Sequence, residues 1–387
     1  MDGLSQDLSQ HRTLPFREIG GRERRIGAAF CRHNGETLAV QVQCTLDDAP
    51  TVSVLVNRLA AGETIWPAPV AVAVELPVPD ALSQLVAPAM IRDEASNFVV
   101  AWPFEQNGCL LISAKDATVA LGWGDAACTA ICGDKGQVCL ATEPNLLTGE
   151  VDIRLRSVAG DWQSVGAKGL RCSEIELVTS LALFDGHVYA AKANQKAGFE
   201  LWRAPVKSAA TAAWEPVIPS GGWRYASSPY VSAMAVIGKQ LFLAAAGPDR
   251  SYLRLGDEYP EVLAVNADAS WSLFSGVARF TPKGLMQTAT AGGPGSAAFA
   301  GMTVGGFVES KAGLRAWLKP LDSGQNSIAI LAWTRATSGW TTTQTIRIDE
   351  LEVFNVAVPA DGPALIGLRT EVEVLASGHT AVLIAAP

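Results

Sequence analysis

The sequence predicts an all-β protein, a single seven-bladed β-propeller whose N-terminal strand completes the last blade. Three observations carry that prediction: a hairpin phrase recurring seven times, an almost complete lack of helical periodicity, and tryptophans near the ends of the repeats. The phrase is a strand containing small residues, a tight polar turn and a second, apolar strand. Its copies are AAFCRHNGETLAVQV, PAMIRDEASNFVVAW, TAICGDKGQVCLAT, TSLALFDGHVYAAK, SAMAVIGKQLFLAA and, more loosely, GGFVESKAGLRAWL and FNVAVPADGPALIGL.

The second strands begin near Leu38, Phe98, Val138, Val188, Leu241, Leu314 and Ala364. Their spacing averages about 54 residues, close to the period of a propeller blade and too long for a short-repeat solenoid. A third strand follows most hairpins, as TVSVLVNRL, CLLISAK, VDIRLRS, FELWRAP, EVLAVNA or SIAILAWTR. The fourth often opens on tryptophan, as in IWPAPV, DWQSVG, AWEPVI, SWSLFS and GWTTTQ.

A four-stranded blade has a crowded inner strand, which Ala28, Ala29, Ala130, Ser180 and Ser232 suit by size. Trp162, Trp214 and Trp271 are expected to fill the wider wedge between blades, each burying about 150–250 Å². The seventh repeat supplies only three strands, and TLPFREIGG, over Leu14 to Gly20, resembles the outer strands that end other blades. Its pairing there would join the chain ends and remove two exposed sheet edges.

Residues 1–13 are read as a disordered segment and 14–387 as the propeller. The alternative is a six-bladed ring with a terminal extension, since blade six carries a long insertion from Phe280 to Ala300. DALSQLVAPA is the one modest helix candidate.

Composition excludes several classes. Of 387 residues 49% are hydrophobic and only 18% charged, with 36 glycines and 21 prolines, which fits a turn-rich globular chain. A net charge of −8 opposes general binding of nucleic acid. No apolar run is long enough for a membrane helix, and MDGLSQDLSQHRT lacks the apolar core of a secretory signal, so a cytoplasmic protein without membrane contact is expected.

The seven cysteines form no CxxC pair, and the four histidines make no zinc spacing, so neither metal nor cofactor is expected. Cys132 and Cys139 stand symmetrically about a hairpin turn and are read as packed thiols.

In a propeller, loops joining second to third strands share one face with the links between blades, and that face usually carries ligands. The hairpin turns lie opposite, which makes His33 and His187 poor candidates. Two loops on the ligand face are richest. SGGWRYASSPY holds Trp223, Arg224, Tyr225 and Tyr230. GPDRSYLRLGDEYP holds Asp249, Arg250, Tyr252, Arg254, Asp257, Glu258 and Tyr259.

Together they contain four of the five tyrosines. Aromatic faces interleaved with arginines suit a small anionic, aromatic or sugar-like ligand, or a protein partner. GRERRIG adds Arg22, Arg24 and Arg25 to the same rim, with Arg171, Arg279 and Lys283 in equivalent links. The competing reading is of solvated loop charges paired with Glu23, Glu174, Asp249, Asp257 and Glu258.

No GxSxG elbow, HExxH helix, phosphate loop or dinucleotide fingerprint is present. The leading expectation is therefore a ligand- or protein-binding propeller. An enzyme of specialised metabolism is the alternative, its site at the pore mouth and built from Asp249, Asp257 or Glu200 with Tyr225, Tyr252 or an arginine. A scaffold in a larger assembly is a third.

The segment from Glu176 to Phe280, with LALFDGHVYAA, GFELWRAP, AWEPV, PYVSAMAV and SWSLFSG, resembles the tryptophan-ended repeats of bacterial propeller proteins. PEVLAVNADASW is similar to a blade end in the propeller part of the cyanobacterial alkylating enzymes that build cylindrocyclophanes. These resemblances imply a fold and transfer no catalytic residue; the calcium-binding glycine-aspartate repeats of those enzymes have no counterpart in this sequence.

Overall fold

Two-residue turns fix the hairpins. In type I′ turns both central residues need positive φ, and Lys135–Gly136 (46° and 79°) and Asp185–Gly186 (45° and 71°) supply it. In the computed structural model these turns join Cys128–Asp134 to Gln137–Thr142 and Val178–Phe184 to His187–Lys192. The structure describes residues 126–166, 170–172, 176–207, 209–246 and 261–290, and elsewhere the strands named below with a few adjoining residues.

Six antiparallel sheets follow one another along the chain, each adding its four strands in sequence order. Sheet one is Arg22–His33, Glu36–Thr45, Val52–Leu59 and Val70–Val74. Sheet two is Ala89–Arg92, Phe98–Pro103, Cys109–Ser113 and Val119–Trp123. Sheet three adds Ile153–Arg156 and Trp162–Ser164 to its hairpin. Sheet four adds Glu200–Pro205 and Glu215–Ile218.

Sheet five is Tyr230–Ile237, Gln240–Ala246, Glu261–Val265 and Trp271–Ser275. Sheet six is Met302–Ser310, Gly313–Pro320, Ser327–Thr334 and Gly339–Arg347. A seventh hairpin, Glu352–Ala357 with Leu365–Arg369, has two strands among the described residues. The chain is thus all-β, and its repeating element is the four-stranded antiparallel sheet of a propeller blade.

All seven expected hairpins are present. The fourth strand of sheet one is described from Val70, and Ile65 and Trp66 of the expected IWPAPV lie outside the described residues. The helix candidate DALSQLVAPA lies outside the described residues except Ala89, which opens a strand. Leu14 to Gly20 lies outside them as well; beside it, Arg12–Thr13 pairs with Val382–Leu383, and Arg22–Glu23 with Val374–Leu375. Ser5–Gln6 runs parallel to the last strand of sheet six.

The chain divides into two compact units. One comprises residues 7–138, 157–160 and 348–387; its core includes Val54, Leu55, Ile91, Val100, Trp102, Leu110 and Ile112. The other comprises 1–6, 139–156 and 161–347 and carries the features described next.

Within this second unit the apolar face of each strand packs between successive sheets. Phe184, Tyr189, Phe199, Leu201, Leu241, Leu243, Leu263 and Leu273 form one cluster, with half-buried Trp271 against it. Phe242, Val262, Phe274 and Leu314 form another, joined by Trp340, whose indole N–H donates to Ser275 Oγ at 3.0 Å. Trp162, Trp214 and Trp271 are all half-buried; Trp271 packs between sheets four and five as expected, and Trp214 lies against the backbone of Gly166.

The first strands are linked by a recurring device. Each of three carries an extra, unpaired residue: Thr179 in sheet four, Ser232 in sheet five and Gly305 in sheet six. Thr179 Oγ1 donates to Val231 O at 3.1 Å, and Ser232 Oγ to Val304 O at 2.7 Å. The bulged hydroxyl of one sheet therefore caps the carbonyl just before the next sheet's bulge. Small polar residues belong on the inner strands for this bond as well as for their size.

Candidate functional site

The up-and-down strand order sends the second-to-third loops and the links between sheets out of the same end of each sheet. In sheets three and four those loops repeat a motif, Asn145-Leu-Leu-Thr-Gly149 and Asn194-Gln-Lys-Ala-Gly198. Asn145 Oδ1 accepts from the N–H groups of Leu147 (2.9 Å) and Thr148 (3.1 Å), and Gly149 N donates back to Asn145 O. Asn194 repeats this with Lys196 (2.9 Å) and Ala197 (2.8 Å), and Gly198 N donates back.

Both loops are then sewn to the link that leaves their own sheet. Cys172 N donates to Gly149 O at 2.7 Å, while Phe199 N donates to Ser228 O and Gly221 N to Phe199 O. A side chain at either glycine is excluded: a Cβ would stand 2.3 Å from Cys172 O at Gly149 and 2.3 Å from Tyr225 O at Gly198.

The first residue of the third strand, or the one before it, is acidic in three successive sheets, as Asp152, Glu200 and Glu261. Each acid is neutralised differently. Asp152 accepts from Arg154 Nε at 2.6 Å. Glu200 meets Lys192 Nζ at 3.0 Å and the Trp202 indole N–H at 3.0 Å, and Glu176 meets the same lysine at 3.3 Å. Asn194 Nδ2 also donates to Glu176, tying the Asn-loop to this cluster.

Burial opposes the charge on Lys192, but the two glutamates outweigh it and hold its pKa above the usual lysine value. Glu261 and Arg279 are both buried and 2.9 Å apart, with Arg224 Nε at 3.6 Å from the same carboxylate. Burial pushes the Glu261 carboxyl up and the Arg279 guanidinium down, while the ion pairs and the Val277 N–H pull the carboxylate back. Arg279 Nη1 also donates to Gly222 O at 2.9 Å, clamping the link between sheets four and five.

That link is the expected SGGWRYASSPY loop. Ser220, Gly221, Gly222 and Trp223 all have positive φ (50°, 62°, 60° and 71°), giving one left-handed turn, and Tyr225 repeats it at 52°. The turn lays Trp223 on Trp271, ring centroids 5.8 Å apart, and leaves Tyr225 exposed. Tyr230 is half-buried at the start of sheet five. Of the sequence-derived candidates in this loop, Trp223 and Arg224 are held by packing and by Glu261, and Tyr225 faces solvent.

Asp249, Arg250, Tyr252, Arg254, Asp257, Glu258 and Tyr259 lie outside the described residues. Arg22, Arg24 and Arg25, read from sequence as a connection, stand instead in a strand, where Glu23, Arg24 and Arg25 pair with Thr45, Cys44 and Gln43. Backbone pairing extends the ladder past the apolar residues whatever the side chains are. These three arginines also belong to the other compact unit. Glu200 is committed to Lys192 and Trp202.

Sequence reasoning missed Glu176, Lys192 and Glu261, and the repeated Asn-x-x-x-Gly was the signal available for their surroundings. Among the described residues no group of acids, histidines and cysteines has the arrangement of a metal site. Cys132 and Cys139 are not joined in a disulfide.

Cys172, beside the Lys192 cluster, is buried, and burial pushes its thiol up to about 12. It is expected to resist thiol reagents at pH 8 in the folded protein and to react on unfolding. A thiol raised in the folded state binds its proton more tightly than in the unfolded chain. Its contribution to stability is complete below the unfolded value of 9.0 and is lost as pH rises through about 12. The raised Lys192 acts in the same sense. The urea midpoint should fall between pH 8.5 and 10.5, and less so in Cys172→Ala.

No family model matches the chain. No curated protein matches it either, so the resemblances drawn from sequence rest on the quoted residues alone. Among solved structures it is similar to Kuenenia stuttgartiensis hydrazine synthase, at 10% identity and a TM-score of 0.51, over 83% of this chain and 93% of that one. It is also similar to the β-propeller domain of the Trilobed protease from Pyrococcus furiosus, at 6% identity and a TM-score of 0.49, over 89% and 92% of the two chains. A third is the SapL1 lectin in complex with alpha methyl fucoside, at 15% identity and a TM-score of 0.46, over 84% and 97%. At such identities the likeness concerns the fold.

Proposed function

We propose that this chain is a seven-bladed propeller that serves as a binding module, and that the binding surface is the end of the sheets from which the loops and links emerge. The observation that carries this reading is the distribution of exposed apolar side chains. Of the eleven large ones among the described residues, eight lie on these loops and links. Leu146 and Leu147 crown the Asn145 loop, and Leu177 and Tyr225 lie on links. Val277, Phe280, Leu285 and Met286 lie on the link that leaves sheet five. Apolar side chains gathered on one end are the mark of an interaction surface rather than of scattered exposure.

Trp223 and Arg224 serve as its framework and Tyr225 as a contact. Tyr230, Asp249, Arg250, Tyr252, Arg254, Asp257 and Tyr259 are proposed as further contributors. The buried ion clusters support a binding role over catalysis, because their carboxylates are taken up by lysine and arginine.

The test is photo-crosslinking in cells from a benzoylphenylalanine at position 225, with the exposed Val236 by the opposite hairpin turn as the comparison. Adducts to protein, small molecule or lipid from position 225 and none from position 236 are expected. Equal yields from both would overturn the reading.

A further inference from the structure

We propose that this end of the second unit seats on the surface of an anionic lipid bilayer, with Leu146 and Leu147 at one tip and Phe280, Leu285 and Met286 at another entering the headgroup–acyl boundary. The proposal rests on the binding-module reading and names the partner of that same surface.

Rigidity comes first. Leu146 and Leu147 are 91% and 95% exposed, although the Asn145 side chain, the Gly149 return bond and the pairing of Glu150–Val151 with Leu170–Arg171 fix their loop. They cannot fold back onto the sheet. The second tip is a hairpin in which Arg279–Phe280 pairs with Met286–Gln287, closed by Thr281 N to Leu285 O at 2.8 Å. It sits at the start of the long insertion read from sequence, and it holds Phe280, Leu285 and Met286 at 62–68% exposure.

Shape decides between partners. Apolar side chains at the tips of tight turns are convex, and a protein partner would need a matched pocket for each. A fluid interface takes such protrusions without one.

Charge points the same way. Among the described residues the fully exposed charges on this end are Arg171, Lys196 and Lys283 against Glu143; Glu150, Asp152 and Glu200 are half-buried, the last two paired with Arg154 and Lys192, and Glu176 and Glu261 are buried against Lys192, Arg279 and Arg224. Among the described residues the opposite end of the same unit exposes Asp161, Asp185, Glu215, Asp268 and Glu309 against Lys207 and Lys239. Among the described residues, then, the cations left fully exposed on this end outnumber the fully exposed acids and stand beside leucine and phenylalanine, the pairing that anionic headgroups attract. No helix among the described residues is long and apolar enough to cross a membrane, and the contact proposed is peripheral.

The experiment is co-sedimentation of the full chain with vesicles of phosphatidylcholine alone and of phosphatidylcholine with 30% phosphatidylglycerol, at low and high salt. Binding is expected to the mixed vesicles, to weaken with salt, and to fall about tenfold or more in Leu146→Ser/Leu147→Ser. Lys196→Glu/Lys283→Glu should abolish the preference for the anionic vesicles. All four side chains are exposed, and an unchanged thermal transition confirms that each variant folds.

No binding of the wild type to either vesicle overturns the proposal, as does binding indifferent to the leucine pair. Self-association lost in the leucine variant would assign the tips to a second copy of this chain. Protein adducts from position 225 without vesicle binding would leave the binding module standing and remove the bilayer.

Discussion

Arg279→Met is expected to destabilise the protein by about 3–5 kcal/mol, because it leaves the buried Glu261 carboxylate without its nearest countercharge. Removing one partner of a buried ion pair costs far more than the pair itself contributes, since the remaining charge keeps its desolvation penalty. Methionine retains most of the arginine stem, so lost packing is a minor part. The bond from Arg279 to Gly222 O goes with it, and the left-handed turn at 220–223 loses its clamp.

Urea unfolding followed by tryptophan fluorescence measures this, since Trp223 and Trp271 lie beside the pair. Glu261→Leu combined with Arg279→Met should recover part of the loss, as an apolar replacement removes the buried pair itself and only the half-buried Arg224 gives up its contact with the carboxylate. A double variant as unstable as the single would mean that the Gly222 bond, and not the charge, carries the effect.

Gly198→Ala should cost about 3 kcal/mol or more, whereas Gly186→Ala should cost about 1 kcal/mol. Both glycines have positive φ, 85° and 71°, so both substitutions place an L side chain in the left-handed region. They differ in what the new methyl group meets. At Gly186 nothing lies within 4 Å, and only the conformational term remains. At Gly198 the methyl would stand 2.3 Å from Tyr225 O and 2.7 Å from Gly221 N, both backbone atoms that hydrogen bonds hold in place. Thermal unfolding of the two variants separates the terms, and equal losses would show that the link at 220–229 yields freely.

The hairpins were legible because their turns demand particular residues: Asp185–Gly186 and Lys135–Gly136 announce themselves between apolar runs. Tryptophan marked the fourth strands for a physical reason too, because only a large ring fills the widening space between sheets.

The ion clusters were not legible. Glu261 finds its partners at Arg224 and Arg279, on the links before and after its own sheet, and no local spacing encodes that meeting. Lys192 and Glu176 meet across a loop in the same way. The repeated Asn-x-x-x-Gly stood in plain view but lay between the hairpin phrases. Arginine and tryptophan in the 220–229 link drew attention as ligand groups, yet geometry gives Trp223 and Arg224 to the framework. Leu146 and Leu147 looked like any short apolar run. Only the Asn145 turn shows that they point away from the core.

The bulged hydroxyls of Thr179 and Ser232 bear on how such a chain can change over time. What must be kept from repeat to repeat is one residue on the inner strand and the carbonyl it caps. Positions 179, 232 and 305 are unequally spaced, so the length of chain between two such points is free to vary. Insertions can therefore be taken up at the loop end of these sheets without disturbing the alignment of their strands. A duplicated or transplanted repeat needs to match its neighbours at that bond and at the apolar side chains packed between sheets, while its loops remain open to new use.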